Sequence, residues 1–222
     1  MKDGTRYAAQ VRKVYSKLRQ QAPEWKGPEG DDPIRQLAVA ILSRECNEEV
    51  AQRAVDRLLS SMASWNEVRV STPAEVQRCL GSTIPQVLAR CKHLITTLQS
   101  VYDRENQLSL DRFRSLGRRE ARQRLEELDG VDELIAASVM LWSLGGHAIP
   151  VSDKLLEALH RAELIHPTAD RAEVQAFLER NISATEAKEF CRVMRSFDGR
   201  DHGGAKKAKP TARARKTRTT KR

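Results

Sequence analysis

Long hydrophobic runs are missing from the 222-residue sequence, and so is a hydrophobic signal core at its N-terminus. No apolar run approaches the 18 or so residues that span a bilayer, so a membrane protein is not expected. The opening segment, MKDGTRYAAQVRKVYSKL, is too polar for a secretion signal. We therefore expect a cytoplasmic protein that makes no contact with a membrane.

Cysteine is scarce, and its four positions are far apart. Cys46, Cys79, Cys91 and Cys191 form no CxxC pair, and no cysteine or histidine cluster has the spacing of a zinc site. Because cytoplasmic proteins keep their thiols reduced, we expect four free cysteines that act as small hydrophobic residues. The sequence indicates neither a metal nor another cofactor.

Acidic residues are missing from the C-terminal segment 203–222, where basic residues are concentrated. This tail carries nine of the 39 basic side chains and none of the 30 acidic ones, so the rest of the chain is balanced. Its basic residues are Lys206, Lys207, Lys209, Arg213, Arg215, Lys216, Arg218, Lys221 and Arg222. Without large apolar residues the tail is expected to be disordered. Its one-sided charge indicates an arm that binds nucleic acid, although a solubilising tail has the same composition.

No segment alternates apolar and polar residues over the length of a strand, and helical spacing covers almost all of the chain ahead of the tail. Helix start signals stand at Asn47, Thr72-Pro73-Ala74-Glu75, Ile84-Pro85 and Ser183-Ala184-Thr185-Glu186. The segment IRQLAVAILS, over 34–43, has no polar face and is expected to be fully buried. The sequence therefore predicts an all-α fold.

The segment LDGVDELIAASVM, over 128–140, joins two predicted helices, 118–128 and 133–144, by a short turn. Gly130 suits a turn position with a positive φ, and Val131 is placed to fill the gap between the helices. Such a turn leaves the first backbone N–H groups of the second helix unpaired, which is a natural seat for a phosphate oxygen. An ordinary corner within a helical bundle has the same pattern.

Four segments occur in an order that is found in one family. They are ILSRECNE over 41–48, LDGVDELIAASVM, IPVSDKLLEAL over 149–159 and FDGRDHG over 197–203. In this order they resemble the helix-hairpin-helix DNA glycosylases, in particular the endonuclease III branch. The resemblance covers residues 33–203, and the order of the segments is more specific than any one of them.

The resemblance implies a two-lobed helical fold that binds duplex DNA, intact or damaged, in the cleft between the lobes, with the target base flipped out. The central lobe with the hairpin would comprise 33–146. The second lobe would combine 1–32 with 147–202, and the tail 203–222 would follow it. A protein of this kind is expected at the nucleoid.

Two positions of the family's chemistry are not matched. The lysine that bifunctional members use for lyase chemistry corresponds to Leu134, which cannot form a Schiff base with an abasic sugar. The family's aspartate corresponds to Ser152, with Asp153 one residue later, and we take Asp153 as the candidate catalytic residue. The alternative is that Ser152 is an N-cap and Asp153 a first-turn acid that the helix dipole favours.

The hairpin also departs from the family's pattern. Asp132 replaces its second glycine, and Glu133 follows. A carboxylate there would repel a phosphate, unless it folds back to cap its own helix. The candidate DNA-binding residues of the hairpin are thus Gly130, Val131 and Asp132, and we expect them to bind phosphate more weakly than the family's hairpin does. The four-cysteine iron–sulfur loop is absent: Gly203 stands at its first cysteine.

Four further side chains are candidates for DNA contact. Glu45 replaces the glutamine that family members insert into the gap left by the flipped base, and Arg44 beside it is placed to reach a phosphate. Arg118 and Arg119 precede the hairpin. In both cases an exposed helix end is the alternative.

These features predict a DNA-binding protein of the base-excision-repair type, and at most a monofunctional glycosylase that hydrolyses without a lyase step. One alternative is a catalytically inactive binding module that uses the glycosylase scaffold. Another is a helical interaction protein whose tail binds RNA or ribosomes. The sequence indicates no oligomeric state.

Overall fold

The computed structural model of the protein describes residues 4–22 and 32–199, which form α-helices and one short 3₁₀ helix, with no strand among them. The predicted all-α fold is confirmed. The helices are α1 (Gly4–Gln21), α2 (Pro33–Leu42), α3 (Glu48–Ser61), α4 (Trp65–Val70), α5 (Pro73–Leu80), α6 (Val87–Glu105), the 3₁₀ helix (Asp111–Ser115), α7 (Arg118–Glu126), α8 (Glu133–Trp142), α9 (Asp153–Arg161), α10 (Arg171–Asn181) and α11 (Ala184–Met194).

The apolar pattern of α2 places this helix at the centre of the fold. Every residue of α2 except Arg35 is buried, as its lack of a polar face predicts. Asp32 caps the helix, because its side chain accepts a hydrogen bond from the Ile34 N–H, and Pro33 occupies the first helical position. By packing against α3, α6 and α8, α2 brings its C-terminal end beside the turn between α7 and α8.

Two of the predicted start signals are confirmed. Asn47 caps α3, and Thr72 and Glu75 form the expected capping box of α5. The predicted start at Ile84-Pro85 is wrong, because Gln86 has a left-handed φ of 50° and α6 begins only at Val87. A residue in that conformation interrupts the helical backbone.

The predicted capping box at the start of α11 is also not formed as expected. The Ser183 hydroxyl donates to the Glu186 carboxylate at 2.7 Å, so the Ser183 side chain makes no capping bond to the backbone. A capping box does form ahead of α10, where Asp170 pairs with Glu173. The sequence places the start of this helix after Thr168, two residues before the observed cap.

The helices pack in two groups around one continuous hydrophobic core. Helices α2 to α8 pack on one another, whereas α1 packs on α10 and α11. Contacts between the groups include the pair of Arg195 with Glu48 (2.5 Å) and the pair of Arg122 with Glu179 (3.8 Å). The predicted lobe boundaries at 33 and 146 stay a prediction.

Candidate nucleic-acid interface

The turn between α7 and α8 depends on Gly130. Its φ is +82°, as the sequence predicts, and a Cβ at this position would lie 2.6 Å from Thr97 Oγ1 and 2.7 Å from the His93 ring. Side chains with a Cβ adopt this backbone region only with strain, and here the space is filled as well. Glycine is therefore required for two separate reasons.

Helix α6 holds the turn in place. The His93 Nε2 lies 2.5 Å from the Gly130 carbonyl oxygen, and the Ser100 hydroxyl accepts a hydrogen bond from the Asp129 N–H at 2.9 Å. Val131 is buried, as expected of a residue that fills the gap between two helices. The hairpin is thus anchored at three consecutive residues, and its position relative to α6 is fixed.

Asp132 folds back onto its own helix. Its Oδ1 accepts a hydrogen bond from the Ile135 N–H at 3.0 Å, which makes Asp132 the N-cap of α8. Its Oδ2 forms an ion pair with Arg44, at the end of α2. The next acid, Glu133, pairs with Arg122 of α7 at 2.8 Å. Both acidic residues that the sequence places at the phosphate seat are therefore neutralised within the protein.

Glu45 lies beside this pair in a strained conformation. Its φ is +65°, in the left-handed region, and its carboxylate accepts a hydrogen bond from Gln86 Nε2 at 3.3 Å. Arg90 pairs with the same carboxylate at 3.6 Å. Since Gln86 is itself left-handed, two strained residues meet at this point of the surface. Strain of this kind is concentrated at functional sites.

A cation in the first turn of α9, Lys154, acts on the residue that follows Glu45. Burial raises the pKa of the Cys46 thiol, and the positive charges of Lys154 and Arg90 act against that rise. Lys154, in the first turn of α9, is therefore within electrostatic range of the residue that follows Glu45. Three cations therefore act on this region: Arg44 pairs with Asp132, Arg90 pairs with Glu45, and Lys154 lies near enough to Cys46 to oppose the rise in its pKa.

The predicted catalytic residue lies at the surface. Asp153 is the first residue of α9, its side chain is 77% exposed, and it forms an ion pair with Arg171. Ser152 is the N-cap, because its hydroxyl accepts a hydrogen bond from the Leu155 N–H at 3.2 Å. Within 4–22 and 32–199, no hydrogen bond or ion pair joins Asp153 to Glu45 or to the 129–133 turn.

Arg118 and Arg119 begin α7, and both are exposed. Arg118 donates to the His147 carbonyl oxygen at 2.6 Å, which uses part of its guanidinium. Arg119 has no hydrogen-bond or ion-pair partner in the described part of the chain. The tail candidates Lys206, Lys207, Lys209, Arg213, Arg215, Lys216 and Arg218 lie outside the described residues, as does Gly203.

The four cysteines are free, and Cys91 and Cys191 are buried. No group of three or more histidine, cysteine or acidic side chains in the described ranges is arranged to hold a metal ion. None of the helices described is both long and apolar enough to cross a bilayer.

The fold thus joins a buried helix, a glycine hairpin at the end of that helix, and a long helix, α6, that contacts both. The fold is that of the helix-hairpin-helix DNA glycosylases, as the segment order predicts.

Three solved structures illustrate the likeness. A trapped endonuclease III–DNA covalent intermediate has a TM-score of 0.68 and 17% identity, with 84% of each chain covered. A thermostable thymine-DNA glycosylase has a TM-score of 0.66 and 16% identity, with 86% of each chain covered. The 3-methyladenine DNA glycosylase of H. pylori has a TM-score of 0.64 and 15% identity, with 87% of this chain and 95% of that chain covered. At such identities the likeness is one of fold. No family model matches the chain, and no curated protein does.

Several residues of the site were missed by sequence reasoning. His93 is 37 positions from Gly130, and Gln86 is 41 positions from Glu45, so no local spacing connects them. Arg90 and Lys154 are ordinary surface cations by their sequence context. The left-handed residues Glu45 and Gln86 carry no glycine or asparagine signal that would have indicated a turn.

Proposed function

We propose that this protein binds duplex DNA with the hairpin side of its helical fold, and that any chemistry it performs is hydrolysis of an N-glycosidic bond. The observation that carries the proposal is the likeness of fold to DNA glycosylases over 84–87% of the chain, together with a hairpin built on Gly130. A DNA-binding protein of this kind would be found at the nucleoid.

The charges of the site support nucleic acid as the partner. The first backbone N–H groups of a helix favour an anion, and at α8 one of them, that of Ile135, is bonded to the Asp132 carboxylate. Arg44 pairs with the capping residue Asp132, Arg90 and Lys154 lie around residues 45 and 46, and the exposed Arg119 has no partner among the described residues. The nine cations of the tail add a sequence-independent attraction to phosphates.

The residues present support hydrolysis rather than lyase chemistry through the hairpin. Leu134, partly exposed in the first turn of α8, has no amine that could attack the sugar. A carboxylate is needed to stabilise the positive charge that develops on the sugar and to activate water. Asp153 is our candidate for that role, at the N-terminus of α9.

Binding is tested with the full chain and fluorescently labelled duplex DNA, with duplex RNA of the same sequence as a second arm. We expect DNA to bind with a dissociation constant that rises steeply with salt. Equal or tighter binding of RNA would instead support the helical interaction protein with an RNA-binding tail. Binding of neither would overturn the proposal.

Catalysis is tested on duplexes that contain oxidised, deaminated or alkylated bases, with alkali treatment to reveal abasic sites. We expect strand breaks only after alkali, and their loss in Asp153→Asn. The matched control is Asp56→Asn, because Asp56 is also exposed and also pairs with an arginine, Arg35, at 2.7 Å. Activity that survives Asp153→Asn would remove this residue from the mechanism.

A second candidate function, a DNA-binding module without catalysis, is favoured by one observation. Asp153 is engaged with Arg171 at the surface, and the position before it is a capping serine. This candidate is supported if no lesion is released from any duplex while binding persists.

A further inference from the structure

The N-terminus of α8 has its anion supplied from within the protein. The first N–H groups of a helix carry partial positive charge and need an acceptor or an anion. Asp132 provides a carboxylate at this point, with Oδ1 on the Ile135 N–H at 3.0 Å. An outside phosphate that approached the hairpin would therefore meet a carboxylate already in place.

The second oxygen of the same carboxylate engages the nearest cation. Asp132 Oδ2 pairs with Arg44, which comes from the end of α2. The neighbouring acid, Glu45, is directed to Arg90 and Gln86 instead, so Asp132 is the acid that holds Arg44. One side chain thus neutralises both the helix end and the guanidinium beside it.

The pair is accessible to a competing anion. The side chains of Arg44 and Asp132 are 32% and 41% exposed, and exposed ion pairs contribute little to stability. A guanidinium presents a rigid fork of donors that fits a phosphate as well as a carboxylate. Exchange of Asp132 for a phosphate on Arg44 therefore needs no rearrangement of the core.

We propose that Asp132 is an internal competitor of DNA phosphate. It occupies the anion position of the hairpin and holds Arg44, so the helical body binds DNA more weakly than its other cations would allow. This inference rests on the proposed function, since it describes how the DNA-binding face is tuned. Removal of the charge at 132 frees Arg44 for one additional phosphate contact.

The test measures DNA binding by the full chain and by Asp132→Asn, over a series of salt concentrations. Asparagine keeps the capping oxygen and removes the charge. We expect Asp132→Asn to bind about tenfold more tightly at low salt, with a slope of log K against log salt that is steeper by about 0.9, the value for one added phosphate contact. Asp132→Ser, which also caps, should give the same gain if asparagine disturbs the turn.

Two further variants separate this explanation from a general effect of charge. Asp170→Asn removes one negative charge at another helix N-cap, ahead of α10, and should leave affinity within about twofold. Arg44→Ala combined with Asp132→Asn should abolish the gain. A gain of the same size in Asp170→Asn, or one that persists without Arg44, would overturn the proposal.

The outcomes also distinguish this inference from the proposed function. If the unmodified chain binds DNA and neither variant at 132 binds it more tightly than the unmodified chain does, Asp132 is not a competitor, but the DNA-binding function stands. If neither the unmodified chain nor any variant binds duplex DNA, the proposed function itself fails.

Discussion

Gly130 carries the conformation on which the hairpin depends, and the surroundings of this glycine decide how a substitution is tolerated. In Gly130→Ala the new methyl would meet Thr97 Oγ1 and the His93 ring at 2.6–2.7 Å, at a φ of +82°. We expect a loss of about 2–3 kcal/mol in the free energy of unfolding, from backbone strain and steric conflict together. Urea denaturation followed by circular dichroism measures this loss.

Gly145→Ala is the matched control. Gly145 also has a positive φ, +68°, but nothing lies within 4 Å of its added Cβ. Only the conformational cost applies, so we expect about 1 kcal/mol. Equal losses in the two variants would show that packing against α6 does not constrain the hairpin.

Two buried thiols connect stability to alkaline pH. Burial raises the pKa of Cys91 to about 11 and that of Cys191 to about 12, from an ordinary value of 9.0. Because the folded pKa is the higher one, the stabilisation is complete below pH 9 and is lost as the pH rises through the folded value. We expect the free energy of unfolding to fall by about 1.4 kcal/mol per pH unit for each thiol, between pH 9 and the folded pKa of that thiol.

Cys91→Ala isolates one of these contributions. The free energy of unfolding of this variant is measured by urea titration at a series of pH values between 9 and 11. It should fall less steeply with pH than that of the unmodified protein, and the difference in slope is the contribution of the Cys91 thiol. Identical slopes would mean that the Cys91 thiol becomes ionised without unfolding.

Helix starts show where a local signal is sufficient and where it is not. Thr72 accepts a hydrogen bond from the Glu75 N–H, whereas the Ser183 hydroxyl donates to the Glu186 side chain. We expect Thr72→Ala to cost about 1 kcal/mol, since a helix N–H loses its acceptor. Ser183→Ala should cost clearly less. Thermal melting of both variants measures the difference, and equal costs would contradict the structural assignment.

At the scale of the whole molecule, charge is distributed between two parts of the chain. Residues 1–202 are balanced in basic and acidic side chains, and the excess of nine cations lies in 203–222. We expect deletion of 203–222 to weaken DNA binding and to flatten its salt dependence, by up to about 0.9 in slope for each lost phosphate contact. The measurement is a salt series with labelled duplex.

A tail of the same length with every lysine and arginine replaced by glutamine is the control. It should behave like the deletion, because charge rather than length is lost. Binding that is unchanged by the deletion would assign the affinity to the helical body. Arg44, Arg90 and Lys154 would then be the candidates for the phosphate contacts.

The sequence by itself determined the helical class, the burial of α2, the caps at Asn47 and Thr72, and the positive φ of Gly130. These features depend on neighbours within a few residues, where spacing and side-chain chemistry are sufficient. The order of four segments also indicated the fold. Each segment is short and can be recognised from its own residues, and their order along the chain is that of one family of folds.

Only the tertiary structure decided how the charges of the site are connected. From the sequence, Asp132 could either repel an anion or cap its helix. Its partner Arg44 is 88 positions away in the sequence, and the two side chains meet because α2 packs against α8. The contact between the left-handed Glu45 and Gln86 likewise joins residues 41 positions apart, one after α2 and one before α6. Contacts between distant segments are set by the sum of core interactions, which no short stretch of sequence contains.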